Sequence, residues 1–267
     1  MPKIECLSSV GIFTKDQKRS RDFFTRRIGL VVRDSMPRVG YLALGATKGG
    51  EDATLDVWQP DPSWGPMYEP GLKQVGTVTG VGFSTANLAK TVDGLRRRKV
   101  EVHVSKDPGD EDYARFKDPD GNTLFLFEDP KAAVRRPGFS RLAFVTVVAR
   151  DGKRSGEFFG KALGMRGRET GDGFFAYRLS SRGTSVMPFT PNREMYDDPA
   201  DYDADMAHIG EETSINFETS GIEKTQEALM ARGVRFKEKA ERKDWGGKQA
   251  KFFDPDDNVY SLIEPEP

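Results

Sequence analysis

The sequence predicts an α+β fold made of four βαβββ units in tandem. Three observations carry this prediction. The chain repeats itself at half its length, each half alternates short strand patterns with two helical ones, and each half closes on the same Asp-Pro-Asp turn. A repeat of this kind sets the architecture before any single element is considered.

The elements follow in order. Residues 4–14 are strand-like, and Asp16 stands where an N-cap is needed for a helix over 17–28. Phe23, Phe24 and Ile28 form the apolar stripe of that helix, and Gly29 ends it as a C′ glycine does. Strands are expected at 30–34, 40–45 and 53–59, followed by a Pro/Gly-rich loop over 60–76. The pattern then restarts with a strand over 75–85, a helix over 88–98, and strands at 101–105, 114–117 and 123–127. Asp118-Pro119-Asp120-Gly121-Asn122 has the turn chemistry to join the last two as a hairpin.

The second half repeats these features. Asp16 to Ser20, Phe23-Phe24 and Ile28-Gly29 return at an offset of 135 as Asp151 to Ser155, Phe158-Phe159 and Leu163-Gly164. Phe116 to Asn122 returns as Phe252 to Asn258, and Val81 to Thr85 as Ile215 to Thr219. Domains are therefore expected at 1–130 and 139–267, with a polar, Pro-containing linker at 131–138.

Composition narrows the function. With 41 Lys+Arg against 42 Asp+Glu, the near-neutral chain has no electrostatic reason to bind nucleic acid or an acidic membrane. No apolar run is long enough to span a bilayer and no signal-peptide pattern is present, so a soluble, cytoplasmic protein is expected. One cysteine, Cys6, cannot form an intrachain disulfide and reads as a small buried residue rather than a nucleophile. Two histidines, His103 and His208, leave little for a metal site or a histidine-dependent triad. The acidic stretch Asp197–Asp205 reads as a solvated loop. Its echo of a calcium loop fails because Met206 stands where glycine is required.

The ordered markers, an Asp-capped helix with Ser-x-x-Phe-Phe and Leu-Gly-Met closed by Asp-Pro-Asp-Gly-Asn, resemble the vicinal oxygen chelate superfamily across the whole chain. That superfamily includes glyoxalase I, bleomycin-resistance and extradiol-dioxygenase proteins. The resemblance implies two cup-shaped mixed sheets with helices outside, each enclosing a ligand cavity. It also implies one inward metal-ligand position on each of four strands, held by His or Glu/Gln in the metal-dependent members. Carried over, these positions fall on Ser9 and Phe144, Asp56 and Met187, Gly80 and Ser214, and Phe125 and Ser261. Only Asp56 among them suits a transition metal, so no metal and no other cofactor is expected, and metal-dependent glyoxalase I or ring-cleaving dioxygenase activity is disfavoured.

Residues two apart on a strand share a face, which adds Trp58, Phe127, Phe189 and Asn216 to the expected lining. The ligand-binding set is thus Ser9, Asp56, Trp58, Phe125, Phe127, Phe144, Met187, Phe189, Ser214, Asn216 and Ser261. Trp64, Met67, Tyr68, Met195, Tyr196 and Tyr202 are the expected lid residues. An aromatic lining with few polar groups suits an apolar or planar organic ligand. Asp56 is the sole candidate for acid/base catalysis. Two other readings stand beside ligand binding. One is an enzyme of the same superfamily, a lyase, isomerase or hydroxylase, either metal-free or with metal ligands not recognised here. The other is a partner-binding protein with filled cups. Duplication within one chain favours a monomer over a dimer.

Overall fold

The computed structural model describes residues 3–76, 80–105, 113–132, 138–171, 174–196 and 198–266. Parts of the expected linker (133–137), of the 75–85 strand (77–79), of the Gly171–Gly173 turn (172–173) and of the acidic stretch (Asp197) lie outside these residues. Among the described residues the chain forms sixteen strands and six α-helices.

The chain divides into two compact units, residues 10–144 and residues 1–9 with 145–267. In the first, β2 (Val31–Met36), β3 (Tyr41–Gly45) and β4 (Thr54–Trp58) form an antiparallel set beside the end of β1 (Cys6–Phe13). The same unit holds β5 (Val81–Thr85), parallel to β8 (Thr123–Glu128), with β7 (Tyr113–Lys117) and β6 (His103–Ser105) outside it. In the second unit, β13 (Glu212–Glu218) runs parallel to β16 (Val259–Glu264), followed by β15 (Lys248–Phe253) and β14 (Phe236–Arg242). β10 (Arg166–Gly171), β11 (Phe174–Arg178) and β12 (Ser185–Phe189) complete it. β1 and β9 (Phe139–Val148) are continuous strands that begin in one unit and end in the other. Counted through them, the pairing gives two eight-stranded mixed sheets, ordered β14-β15-β16-β13-β1-β4-β3-β2 and β10-β11-β12-β9-β5-β8-β7-β6.

Each unit buries one face of its strands under helices. In residues 10–144, α1 (Gln17–Asp22) packs on β3 and β4, and Leu42, Leu44, Leu55 and Val57 are fully buried beneath it. The helix expected over 17–28 continues past α1 as a π-turn at Phe23–Ile28, where Gly29 N–H bonds to the Phe24 carbonyl. Phe23, Phe24 and Ile28 all reach the core, and the wider turn narrows the arc that they occupy. α3 (Leu88–Arg97) covers β7 and β8, α4 (Gly152–Lys161) covers β10–β12, and α6 (Ile222–Met230) covers β14–β16. Two expected loops are partly helical. α2 (Tyr68–Lys73) follows a 3-10 turn at Pro62–Met67, and α5 (Pro199–Ala207) is capped by Asp198. The acidic stretch is therefore mostly helix rather than loop: an Asp-Pro start is a helix signal that the run of carboxylates obscured.

Two devices recur, the first in all four units and the second in three. The first helical N–H is bonded by a side chain at or just past the end of the last strand of a βαβββ unit: Gln17 by Gln59, Leu88 by Glu128, Gly152 by Thr190 and Ile222 by Glu264. Beneath each helix, Thr14, Thr85 and Thr219 pair their hydroxyls with Ser20, Thr91 and Thr225 at 2.7–2.8 Å. In the remaining unit Ala149 takes the threonine position, and the buried Ser155 hydroxyl has no partner. Ser155→Ala is therefore expected to raise stability by about 1 kcal/mol, whereas Ser20→Ala costs about as much, in urea denaturation.

The Asp-Pro-Asp turns dock onto the capped helices. Asp120 takes Arg19 at 2.6 Å and the Thr14 hydroxyl, and Asp256 takes Arg154 at 2.5 Å and the Arg150 N–H. The two family markers are thus partners in one contact in each unit. The preceding aspartates fold the turns themselves. Asp118 accepts the Asp120 and Asn122 N–H groups and the Asn122 amide, and Asp254 accepts the corresponding three from Asp256 and Asn258. Burial pushes both carboxyls upward against these donors.

Candidate functional site

The eight positions carried over from the superfamily sort by sheet. Ser9, Asp56, Ser214 and Ser261 lie on β1, β4, β13 and β16, whereas Phe144, Met187 and Phe125 lie on β9, β12 and β8, with Gly80 just before β5. One sheet is thus polar at these positions and the other apolar. The contrast continues one pair further along. Asn216 donates to the Ser9 hydroxyl at 2.8 Å, while at the corresponding place Gly82 lies against the Phe144 ring. A Cβ on Gly82 would fall 2.2 Å from that ring, so the glycine is what admits the aromatic.

In residues 10–144 the sequence candidates form two groups. On β8, Leu124 and Leu126 are fully buried under α3, and the alternating Phe125 and Phe127 are half-buried on the other face. Phe127 stacks on Phe144 at 5.6 Å, and Phe125 meets Tyr113 at 6.0 Å. Around β4, Trp58 lies 4.5 Å from Tyr41 and 6.0 Å from Trp64, whose ring also meets Phe13 edge-on at 6.5 Å. Trp64 therefore packs beside Trp58, whereas Met67 is exposed and Tyr68 opens α2.

Asp56 is buried in this second group and accepts the Thr54 hydroxyl at 2.7 Å. It also accepts a hydrogen bond from Tyr41. Tyr41 was not among the sequence candidates, because only the β3–β4 register places it diagonal to Asp56 on one face. Burial, then Asp56 and Asp34, push its phenol far above the ordinary tyrosine range.

In the other unit, Asn216 pairs in register with Ser261, Ser261 accepts from Gln249 at 3.0 Å, and Lys251 stands opposite Ser261. Lys251 is ion-paired to Glu212 at 2.8 Å and was likewise invisible without the register. Ser214 is in a left-handed conformation (φ 55°), and the register shifts between Glu212 and Asn216. The simple alternation that joined Ser214 to Asn216 is interrupted there. Phe189 is buried and stacks on Phe174 at 4.8 Å, two residues along from the half-buried Met187. Of the lid residues here, Tyr196 meets Tyr202 edge-on and donates to Asp205 at 2.7 Å, and Met195 is exposed.

The donors do not fit a transition metal. Ser9 and Asn216 are bonded to each other, and Asp56 to Thr54 and Tyr41. Among the described residues no three His, Cys, Asp or Glu side chains converge. His103 and His208 are each beside a glutamate, Glu101 and Glu211. Burial and Glu218 and Glu5 hold the Cys6 thiol up to about 11, which keeps it protonated at neutral pH.

Compared with known proteins, residues 7–126 and 141–262 both match the model of the glyoxalase/bleomycin resistance protein/dioxygenase superfamily. The chain belongs to this superfamily, in a tandem form. Among solved structures it is similar to glyoxalase I from Zea mays, at 17% identity, a TM-score of 0.68, and coverage of 99% of this chain and 92% of that one. A proposed dioxygenase from Bacillus subtilis is 13% identical with a TM-score of 0.66, covering 100% and 87%. An antibiotic binding protein from a Streptomyces species is 24% identical over 47% of this chain and 96% of its own, with a TM-score of 0.39. At these identities the likeness is one of fold. No curated protein matches the sequence.

Proposed function

We propose that the protein binds an apolar or aromatic organic ligand without a metal ion. The observation that carries this reading is the alternation along β8, where Leu124 and Leu126 fill the core while Phe125 and Phe127 stay half-buried on the face away from α3. Rings that served only to fill a core would be as buried as their neighbours. Phe144 and Tyr113 extend this aromatic face, and flat rings of this kind take planar ligands by stacking. The polar set around Asp56 gives the second group a means of orienting a ligand.

The test is a fluorescence titration with 8-anilinonaphthalene-1-sulfonate, together with metal analysis of the purified protein. One dye on the β8 face is expected, weakened about tenfold by Phe127→Ala, which corresponds to roughly 1.4 kcal/mol of lost ring contact. Absence of saturable binding, or an affinity indifferent to both Phe125→Ala and Phe127→Ala, would favour the partner-binding alternative. Stoichiometric metal that survives chelation would instead favour the enzyme reading.

A further inference from the structure

We infer that the face of β2, β3 and β4 away from α1 recognises an organic cation, a quaternary ammonium or similarly methylated amine, at its half-exposed aromatic rings. This deepens the ligand-binding reading for one of its two aromatic groups and rests on it.

Strand register sets two rows of side chains across these three strands. One is Asp34–Ala43–Asp56 and the next is Met36–Tyr41–Trp58. Neighbouring strands lie about 4.8 Å apart, so the two carboxylate-bearing residues stand roughly 10 Å apart across Ala43, with Asp56 and Ala43 buried and Asp34 exposed. The opposite face of the same strands is the leucine and valine core under α1, which leaves the acidic rows as the face away from the helix.

Half-exposed aromatic rings stand beside these acidic rows. Tyr41 and Trp58 are inclined at 42°, Trp58 and Trp64 at 75°, and Trp64 and Phe13 at 71°. Rings turned nearly perpendicular to one another form a corner, and a cation in a corner meets the negative face of more than one ring. A fully methylated ammonium suits such a place because it carries charge without N–H groups that need acceptors. Arg33 is the sole basic residue on the three strands, and its guanidinium is committed to Asp52 at 2.8 Å and to the Thr47 and Asp52 carbonyls. Burial, followed by the Asp56 and Asp34 charges, pushes the Tyr41 phenol upward, in keeping with the placement of the two carboxylates on its face.

The experiment compares choline with 3,3-dimethyl-1-butanol, which has the same shape and no charge. Trp58 and Trp64 report binding by fluorescence. Choline is expected to bind at least tenfold more tightly than its neutral counterpart, and Asp34→Asn, at an exposed position, is expected to remove most of that preference. Trp58→Leu is expected to weaken choline about tenfold. Equal affinities for the two probes, or a preference untouched by Asp34→Asn, would overturn the inference. If the anilinonaphthalene dye still binds in a Phe127-dependent way, the cation site alone has failed. If neither probe binds, the ligand-binding reading falls with it.

Discussion

Asp254→Ala is expected to lower stability by about 4 kcal/mol, the largest single-residue loss anticipated in this chain. The carboxylate is buried and accepts the Asp256 and Asn258 N–H groups, the Asn258 amide and the Tyr260 hydroxyl. Alanine leaves those donors without an acceptor inside the protein, and each costs about 1–3 kcal/mol unless water reaches it. It also loosens the turn that presents Asp256 to Arg154 and to the Arg150 N–H. Asp118→Ala in the other unit is the internal comparison. There Leu124 stands where Tyr260 does, so one buried donor fewer is stranded, and the loss should be smaller by about 1 kcal/mol. Urea denaturation of the two variants decides the matter. A loss under 1 kcal/mol for Asp254→Ala would mean that the turn holds without its aspartate.

Stability is also expected to fall steeply above pH 10. Tyr260 is fully buried, and burial followed by the nearby Asp254 charge raises its phenol well above the ordinary value of 10. The sign follows from proton linkage. Below pH 10 the phenol is protonated in both the folded and unfolded chain, and the contribution to stability is complete. Above it the unfolded chain gives up the proton and the folded one keeps it, so stability drops as pH rises toward the folded value. One such tyrosine gives a slope of about 1.4 kcal/mol per pH unit. Tyr41 and Tyr196 are shifted in the same direction and add less, because both remain partly open to solvent. Tyr260→Phe should be less stable at pH 7 by about 1 kcal/mol, through its lost bond to Asp254, yet flatter between pH 10 and 11.5. An unchanged slope in that variant would place the titration elsewhere.

Much of the fold was legible because its signals are local. Asp16 and Asp151 do cap their helices, Gly29 is left-handed at the end of its π-turn, and the Asp-Pro-Asp turns are hairpins held by their own aspartates. What escaped depends on register or on partners distant in sequence. The hydroxyl pairs beneath the helices span only six residues, but a Thr and a Ser six apart carry no signal until a helix stacks one over the other. The π-turn escaped because the stripe at Phe23, Phe24 and Ile28 fits an ordinary helix imperfectly and a wider one well. At the candidate site, Asp56 and Trp58 could be selected from strand periodicity. Tyr41, Asp34 and Lys251 could not, since a one-residue change of pairing would turn each to the opposite face. The division of the eight family positions into a polar and an apolar sheet is likewise invisible in a sequence read as two successive halves.

The path of β1 has a consequence for the order in which the molecule forms. Its first residues pair with a strand more than 200 positions away: Ser8 bonds to the Asn216 carbonyl and Asn216 to Ser9. Residues 10–144 can complete their own contacts while the remainder is still being synthesised. The opening segment cannot, and its backbone donors and acceptors wait for β13 to emerge. Closure over such a distance is slow, so a segment made before residues 10–144 is completed after them, and until then it is an unpaired strand edge open to other partners.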